Sequence, residues 1–304
     1  MAKKTVLDIA EDFSFRRAKI DGENERRQKN DAEINELEQK KRALLLKKLE
    51  RAFSAENFAE ADAEIARITA QQERIVCERG LRVEYACEKC SDTGIVNGHY
   101  CNCFLREVYT NLYGAEDISR ITGCFEDADM SVFDEKNVLS MGKTQRELAN
   151  MTYKICKSYM ADFPATIRLN VLLRGKAGLG KTYLMNSMAR AARERGIDVC
   201  LVRAGALFNA FFRHRMGDDI PMSFLENAEL LMIDDLGTEP MTQNVTIEYL
   251  FGIINCRLEN KKHTVFATNV NDLQTRYGER ISSRLESCEC AEMILDGADL
   301  RRRK

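Results

Sequence analysis

Structure-breaking residues are scarce in the first part of this 304-residue chain. All three prolines lie after residue 163, and residues 1–80 contain only two glycines. The same segment is rich in Glu, Lys, Arg, Ala and Leu, which are good helix formers. These absences exclude a turn-rich fold over residues 1–80 and favour long helices with much solvated surface.

A strong net charge and a long apolar run are also missing. The 46 basic and 48 acidic side chains nearly cancel, so bulk charge gives no general attraction to nucleic acid or to an anionic membrane. No stretch approaches 18 consecutive apolar residues, and the N-terminus "MAKKTVLDIAEDFSF" lacks the apolar part of a signal peptide. We therefore expect a cytoplasmic protein with reduced thiols and no membrane partner.

Residues 1–80 predict two long helices, which can pair as a hairpin. A break is expected at "FSAENF", where Ser54 is placed to cap the second helix. The apolar residues at helical spacing are Ile34, Leu37, Leu44, Leu45, Leu49 and Phe53 before the break, then Ile65, Ile68 and Ile75. The alternative for this segment is a helical bundle or coiled coil without a special function.

The second half of the chain has the pattern of an α/β protein. A helix is expected near "QRELANMTYKICKSYM", and apolar runs alternate with helical stretches from about residue 165. Those runs are "IRLNVLLRG", "DVCLVRA", "AELLMIDDLG", "HTVFATN" and "AEMILDG". Five short apolar strands separated by helices predict a parallel five-stranded sheet.

A phosphate-binding loop is predicted between the first of these strands and the next helix. "GKAGLGKT" fits the pattern G-x-x-x-x-G-K-[ST], with strand and helix in the required places. We expect backbone N–H groups of the loop to surround the phosphates, Lys181 to reach the β- and γ-phosphates, and Thr182 to bind Mg²⁺. The expected nucleotide-binding residues are Gly175, Lys176, Ala177, Gly178, Leu179, Gly180, Lys181 and Thr182.

Polar residues at two later strand ends fit the same chemistry. In "LLMIDDLG", Asp234 is expected to hold Mg²⁺, and Asp235 to orient or deprotonate the attacking water. Many such ATPases carry Glu at the second position, so the shorter Asp predicts slow hydrolysis. Asn269, after "HTVFATN", can hydrogen-bond the γ-phosphate or its water, although an Asn after a strand is more often a turn residue.

Four cysteines in a short segment predict a zinc site. Cys87, Cys90, Cys101 and Cys103 have the spacing C-x2-C-x10-C-x-C, and each close pair can give two thiolates to one tetrahedral Zn²⁺. Redox thiols or unrelated buried thiols are the alternatives, and His99 is a possible substitute ligand. The remaining seven cysteines are interpreted as small buried hydrophobes: Cys77, Cys124, Cys156, Cys200, Cys256, Cys288 and Cys290.

Together these motifs resemble the AAA+ ATPases, and in particular the DnaC/DnaI-type helicase loaders and the related IstB transposition helpers. The resemblance covers about residues 165–304 and extends less specifically to the cysteine segment. It implies a P-loop NTPase core, with Asn269 as sensor 1. "GERISSRLES" is similar to the arginine-finger segment, with Arg284 the better match and Arg280 the second. "LDGADLRRRK" is similar to sensor 2, which places Arg301 at the nucleotide.

The predicted domain order is a helical region (1–80), a zinc module (81–105), a linker with helices (106–160) and an AAA+ ATPase domain (161–304). The resemblance implies a slow ATPase that forms a homo-oligomer on single-stranded DNA and delivers a replicative helicase held by its N-terminal region. Two alternatives stay open: an IstB-like helper of a transposase, and a zinc-dependent adaptor with a nucleotide-gated switch.

DNA contact is expected near "AGALFNAFFRHRMGDD", where aromatic and basic side chains alternate. The candidates are Phe208, Phe211, Phe212, Arg213, His214 and Arg215. The alternative is that the phenylalanines belong to the core and the arginines are only solvated, and at least two of the three phenylalanines are expected in the core.

Overall fold

The computed structural model describes residues 4–50, 58–117, 121, 123–139 and 141–302, with side chains throughout except at residue 50. The chain forms two compact units. One contains residues 10–101, and the other contains residues 1–9 and 102–304. Ser54 and Phe53, at the break expected between helices, lie outside the described residues.

Three helices, not two, occupy the described N-terminal residues: α1 (Val6–Lys29), α2 (Ala32–Glu50) and α3 (Ala59–Glu78). The additional boundary lies at Asp31, whose Oδ1 accepts hydrogen bonds from the backbone N–H groups of Glu33 (3.1 Å) and Ile34 (3.2 Å). The side chain thereby satisfies N–H groups that have no partner in the first turn of α2.

α2 and α3 pack as the expected hairpin. Their shared apolar cluster contains Ile34, Leu37, Ile68, Ile75 and Val76, which alternate at helical spacing on the two facing surfaces. Leu45 and Leu49 of the predicted apolar line do not join it, because Leu45 is 42% exposed and Leu49 is 69% exposed. The apolar contact is therefore concentrated in the first half of α2.

Several short elements lie in the chain between the α2–α3 hairpin and the first strand of the large sheet. β1 (Ile95–Val96) and β2 (His99–Tyr100) form an antiparallel pair, followed by α4 (Asn102–Val108) and a π-helical turn (Tyr109–Tyr113). A 3₁₀ turn covers Met130–Val132, and α5 (Gln145–Asp162) is the helix predicted near residue 145. Thr144 and Glu147 form a reciprocal capping box at its N-terminus.

The five predicted strands are confirmed as a parallel sheet: β3 (Asn170–Arg174), β4 (Val199–Arg203), β5 (Leu230–Leu236), β6 (His263–Thr268) and β7 (Cys290–Ile294). Their order in the sheet is β4-β5-β6-β3-β7. The intervening helices are α6 (Lys181–Glu194), α7 (Ala204–Arg215), α8 (Ser223–Asn227), α9 (Thr246–Glu259), α10 (Leu273–Tyr277) and α11 (Glu279–Leu285). A 3₁₀ turn follows at Leu300–Arg302.

Burial explains why the central strands appear as unbroken apolar runs. All of β6 and the first four residues of β3 are buried, as expected when helices cover both faces of a parallel sheet. The edge strand β7 instead alternates, and its exposed side carries Glu292. Since β3, β5 and β6 lie side by side and are parallel, the loops after them meet at one edge of the sheet.

The scattered cysteines do not behave as one class. Cys156, Cys200 and Cys290 are buried as predicted. The prediction is wrong for Cys77 and Cys288, which are exposed at element ends, and for the half-buried Cys124 and Cys256. Among the described helices, none combines the length and apolar character needed to cross a bilayer.

Candidate nucleotide-binding site

The phosphate loop requires its glycines for close backbone approach. Gly178 (φ +77°) and Gly180 (φ +90°) adopt left-handed backbone conformations. A Cβ atom on Gly178 would lie 1.7 Å from Oδ1 of Asp299, and one on Gly175 would lie 2.3 Å from the carbonyl oxygen of Leu295. The loop thus rests directly against residues 295–300, and the N–H of Leu300 donates to the carbonyl of Gly178 at 3.0 Å.

Lys181 points into this loop. Its Nζ donates to the carbonyl oxygens of Gly175 (2.6 Å) and Lys176 (2.8 Å), and its side chain is buried. Burial lowers the pKa of Lys181, while the nearby charges of Asp234 and Asp235 oppose that shift. An anionic phosphate at this place would give the ammonium the close counter-charge that two neutral carbonyls do not supply.

Thr182 and Asp234 are brought together at the start of α6 and the end of β5. The Thr182 hydroxyl donates to Oδ2 of Asp234 at 2.8 Å. Burial raises the pKa of Asp234, and the hydrogen bond from Thr182 opposes this effect. A hydroxyl and a carboxylate at this separation are hard oxygen donors of the kind that Mg²⁺ prefers, so the pair fits the ion expected from the sequence.

Asp235 and Asn269 lie at the same edge of the sheet, and both are exposed. Asp235 has φ +55° and lies within a register irregularity between Ile233 and Leu236, which turns its side chain away from the buried face of β5. A Cβ atom on Gly237 would be 3.6 Å from Oδ1 of Asn269, so the segment after β5 runs beside the Asn. The pattern of apolar residues could not show the left-handed conformation of Asp235.

The predicted arginines occupy two different places. Arg301 is exposed and lies 3.3 Å from Asp299 (Nε to Oδ1), and its charge contributes to lowering the pKa of Lys181. Arg284 donates from Nε and Nη2 to Oδ1 of Asn255 on α9, at 3.0 and 2.8 Å. Arg280 and Arg284 both stack on the ring of Phe251, at 4.1 and 4.6 Å from its centroid. Arg284 is therefore held by α9 of its own chain.

An apolar cavity of about 320 Å³ adjoins Gly180, and no residue pattern in this part of the chain predicts it. Its walls include Met130, Phe133, Tyr153 and Tyr183, drawn from segments far apart in the chain. Hydrogen bonds fix the wall formed by residues 124–133: Tyr183 donates to the carbonyl of Cys124 at 2.7 Å, and Tyr153 donates to that of Phe125 at 2.5 Å. Residues assigned to a linker thus form a space beside the phosphate loop that fits a nucleoside base.

The four-cysteine segment also folds into a cluster. The Sγ atoms of Cys87, Cys90, Cys101 and Cys103 all lie within 4.8 Å of one another, and those of Cys87 and Cys101 are 3.8 Å apart. Four thiolates at the usual Zn–S distance form a tetrahedron with edges of about 3.8 Å. His99 is exposed and is not in the cluster. The donor set therefore fits Zn²⁺ without a histidine.

Two turns bring the cysteine pairs together. The carboxylate of Asp92 accepts from the backbone N–H groups of Ala86 (2.9 Å) and Cys87 (2.8 Å), which curls the chain around the first pair. Asn97 (φ +51°) and Gly98 (φ +81°) form the two-residue turn between β1 and β2. The hairpin returns the chain to the second pair.

On α7, Phe208 and Phe211 are buried and only Phe212 is exposed, as expected for at least two of the three. Arg213 is mostly covered and pairs with Asp218 at 2.7 Å. His214 packs edge-on against the ring of Tyr249. Of the basic residues named for DNA contact, Arg215 is the most freely exposed.

Residues 145–278 match the protein family described as "IstB-like ATP binding protein". This segment is IstB-like. It runs from α5 to the end of α10 and contains the phosphate loop, Asp234, Asp235 and Asn269. The five-stranded sheet, this loop and the covering helices form an AAA+ P-loop core, as the sequence predicted.

Solved structures with a similar fold include replication proteins. A DnaC helicase loader is 21% identical (TM-score 0.45), with 57% of this chain and 98% of that chain covered. A DnaI is 20% identical (TM-score 0.43), with 61% and 93% covered. DnaA from Aquifex aeolicus with bound AMPPCP is 24% identical (TM-score 0.44), with 51% and 49% covered. These likenesses concern the fold alone.

Proposed function

We propose that the chain is an ATP-dependent loader that places a replicative helicase on single-stranded DNA. The observation that carries the proposal is the nucleotide site: Lys181 inside the phosphate loop, with Thr182 hydrogen-bonded to Asp234 in an IstB-like segment. The motif resemblance to DnaC/DnaI-type loaders supports the choice of cargo. The N-terminal helices would hold the helicase, and the ATPase core would contact DNA.

Each residue of the site has a proposed role. Backbone N–H groups of residues 175–180 would surround the phosphates, and Lys181 would neutralise charge on the β- and γ-phosphates. Thr182 and Asp234 would hold Mg²⁺, which supplies further charge neutralisation. The cavity beside Gly180 would take the adenine, and Arg301 would approach the phosphates from the C-terminal turn.

For hydrolysis, Asp235 would orient the attacking water and accept its proton, and Asn269 would hydrogen-bond the γ-phosphate or that water. Arg284, or Arg280 in its place, would reach a γ-phosphate bound by a neighbouring copy in a homo-oligomer on DNA. Asp235 is one methylene shorter than Glu, so turnover is proposed to be slow.

We further propose that Cys87, Cys90, Cys101 and Cys103 bind one structural zinc. Four thiolates leave no open coordination position for chemistry. The cysteine segment is too short to bury much apolar surface, so metal binding would supply folding free energy on the order of 10 kcal/mol. The zinc would stabilise the segment that follows the N-terminal helices.

The loader proposal is tested by capture from host lysate with the full chain as bait, in ATP and Mg²⁺. Recovery of a hexameric replicative helicase, followed by its appearance on circular single-stranded DNA only when the chain and ATP are present, is the expected result. Lys181→Ala is the matched control, which should fail in loading. The IstB-like match favours one other candidate, a transposase helper. Capture of a transposase without any helicase would establish that alternative and refute the loader.

A further inference from the structure

Glu239 is a buried carboxylate that the site described above does not use. It lies two residues after Gly237, in the segment that leaves β5, and its side chain has no solvent exposure. One oxygen, Oε2, accepts from the backbone N–H of Gly237 at 2.8 Å. The other, Oε1, accepts from the Tyr277 hydroxyl at 2.5 Å and from Nη2 of Arg276 at 3.3 Å.

These three donors come from two different parts of the AAA+ core. Gly237 is next to the edge that carries Asp235 and Asn269, and a Cβ atom there would lie 2.2 Å from Cγ2 of Val270. The segment after β5 therefore runs in close contact with the chain that follows β6. Tyr277 and Arg276, in contrast, form the last turn of α10.

α10 leads directly into the helix that carries the candidate finger. Gly278 (φ +83°) is the one residue between α10 and α11, and α11 bears Arg280 and Arg284. Nη2 of Arg276 also donates to the backbone carbonyl of Glu239 at 2.6 Å. The side chain and the backbone carbonyl of Glu239 thus both accept hydrogen bonds from the end of α10, which is separated from α11 by one glycine.

A buried carboxylate is costly unless several donors satisfy it, and replacing a buried ion pair by apolar side chains often costs no stability. Glu239 nevertheless connects the hydrolytic edge of the sheet to the base of the arginine helix through three directed hydrogen bonds. Directional hydrogen bonds restrict the position of α10 relative to the segment after β5 more closely than apolar packing would.

We infer that Glu239 is a positioning residue. It connects the sheet edge that carries Asp235 and Asn269 to α11 of the same subunit, and so determines the position of Arg280 and Arg284, which would reach the nucleotide of the neighbouring copy. This inference rests on the proposed function, because it needs ATP hydrolysis at subunit interfaces. Glu239 itself has no exposed side-chain surface to offer to a nucleotide or to the attacking water. Its loss would leave ATP binding intact and misplace the arginine supplied to the next site.

The first test is Glu239→Gln in the full chain, with Tyr277→Phe as the second variant because it removes a single donor. Both are expected to bind ATP like the parent and to assemble on single-stranded DNA. Turnover per assembled site should fall by about 10- to 100-fold, the effect of one lost hydrogen bond to a charged group. Parent-like turnover in both variants would overturn the inference.

A mixing experiment separates positioning in trans from a defect in the variant's own site. Mixed with Lys181→Ala, which keeps a correctly held α11, Glu239→Gln should recover turnover because its intact ATP site meets an intact finger. Mixed with Arg284→Ala it should not recover, since neither subunit offers a placed finger. Low turnover that Lys181→Ala does not restore would place the effect inside the variant's own site and refute the inference. An inactive parent would instead refute the proposed function, and the inference with it.

Discussion

Lys181 combines a charge, burial and only neutral partners within its own loop. We expect Lys181→Ala to weaken ATP affinity by about 10- to 100-fold, because a charge-assisted contact with phosphate is lost. Lys176→Ala is the matched control, since Lys176 lies in the same loop with an exposed side chain. Calorimetric titration with ATP and Mg²⁺ measures both. Equal loss in the two variants would mean that general loop charge, not the position of Lys181, determines affinity.

Asp198 is a second buried residue with a measurable consequence, outside the nucleotide site. The Tyr109 hydroxyl donates to its Oδ2 at 2.6 Å, and burial raises the pKa of Asp198 to about 6. The folded state then favours the protonated carboxyl. The contribution of Asp198 to the free energy of unfolding is therefore fully present below the ordinary pKa near 4. It is lost as the pH rises toward 6, and it does not change further above that pH. The total cost is on the order of 3 kcal/mol.

We therefore expect Asp198→Asn, which keeps an acceptor for Tyr109 but carries no charge, to gain stability over the parent as pH rises. The gain should be small at pH 4 and reach a few kcal/mol by pH 8. Denaturant unfolding of both proteins at a series of pH values measures the difference. A difference that does not change with pH would show that folding does not raise the pKa of Asp198.

Spacing along the chain was enough to predict that Lys181 lies inside the loop and that Thr182 and Asp234 meet, because the loop motif is local and its strand and helix are adjacent. Glu239 and Asp198 could not be predicted in this way. Each looks like an ordinary carboxylate beside a strand, and each owes its role to a tyrosine more than 35 residues away. Burial of a charge depends on the tertiary fold, which residue patterns do not display.

At the scale of elements, the four-cysteine segment with its β1–β2 hairpin gives the clearest test. We expect one tightly bound zinc per chain, and replacement of Cys87 and Cys90 by Ser should abolish it and unfold β1 and β2. Metal analysis after gel filtration measures the stoichiometry, and ATP titration should stay unchanged because the phosphate loop lies in residues 175–182. Cys77→Ser, which removes an exposed thiol, is the control. Full zinc occupancy in the double variant would exclude these ligands.

The strands were easier to predict than the segments between them. Parallel strands covered on both faces leave an apolar signature, and all five were found. The N-terminal helices were expected as two, because no proline or glycine marks the break at Asp31, where a side-chain cap divides them. Residues 124–133 could not be distinguished from a linker in the sequence. Their position depends on hydrogen bonds from Tyr153 and Tyr183, which lie on separate helices.

At the scale of the whole molecule, the arginine finger proposed above predicts cooperation between copies. Arg284→Ala should bind ATP but hydrolyse it about 10³- to 10⁵-fold more slowly in the assembled state. Lys181→Ala should hold little ATP at a concentration that saturates the parent, yet it offers an intact Arg284. Mixed on single-stranded DNA, the two variants should recover part of the ATP turnover. The recovered turnover should rise with protein concentration.

Arg280→Ala is the matched control for this mixture, because both guanidinium groups stack on Phe251. If Arg284 is the finger, Arg280→Ala alone should retain most of the turnover. No recovery at any ratio, with both variants folded and assembled on DNA, would exclude Arg284 as a trans-acting group. Arg280 would then be examined in the same mixture.

The close approach between Gly178 and Asp299 has a practical consequence for fluorescent labelling of this protein. Asp299 and Leu300 lie directly on the phosphate loop, so a fluorophore attached to the 3₁₀ turn at Leu300–Arg302 would change its surroundings when nucleotide binds. This turn is therefore the natural position for an optical reporter of nucleotide binding.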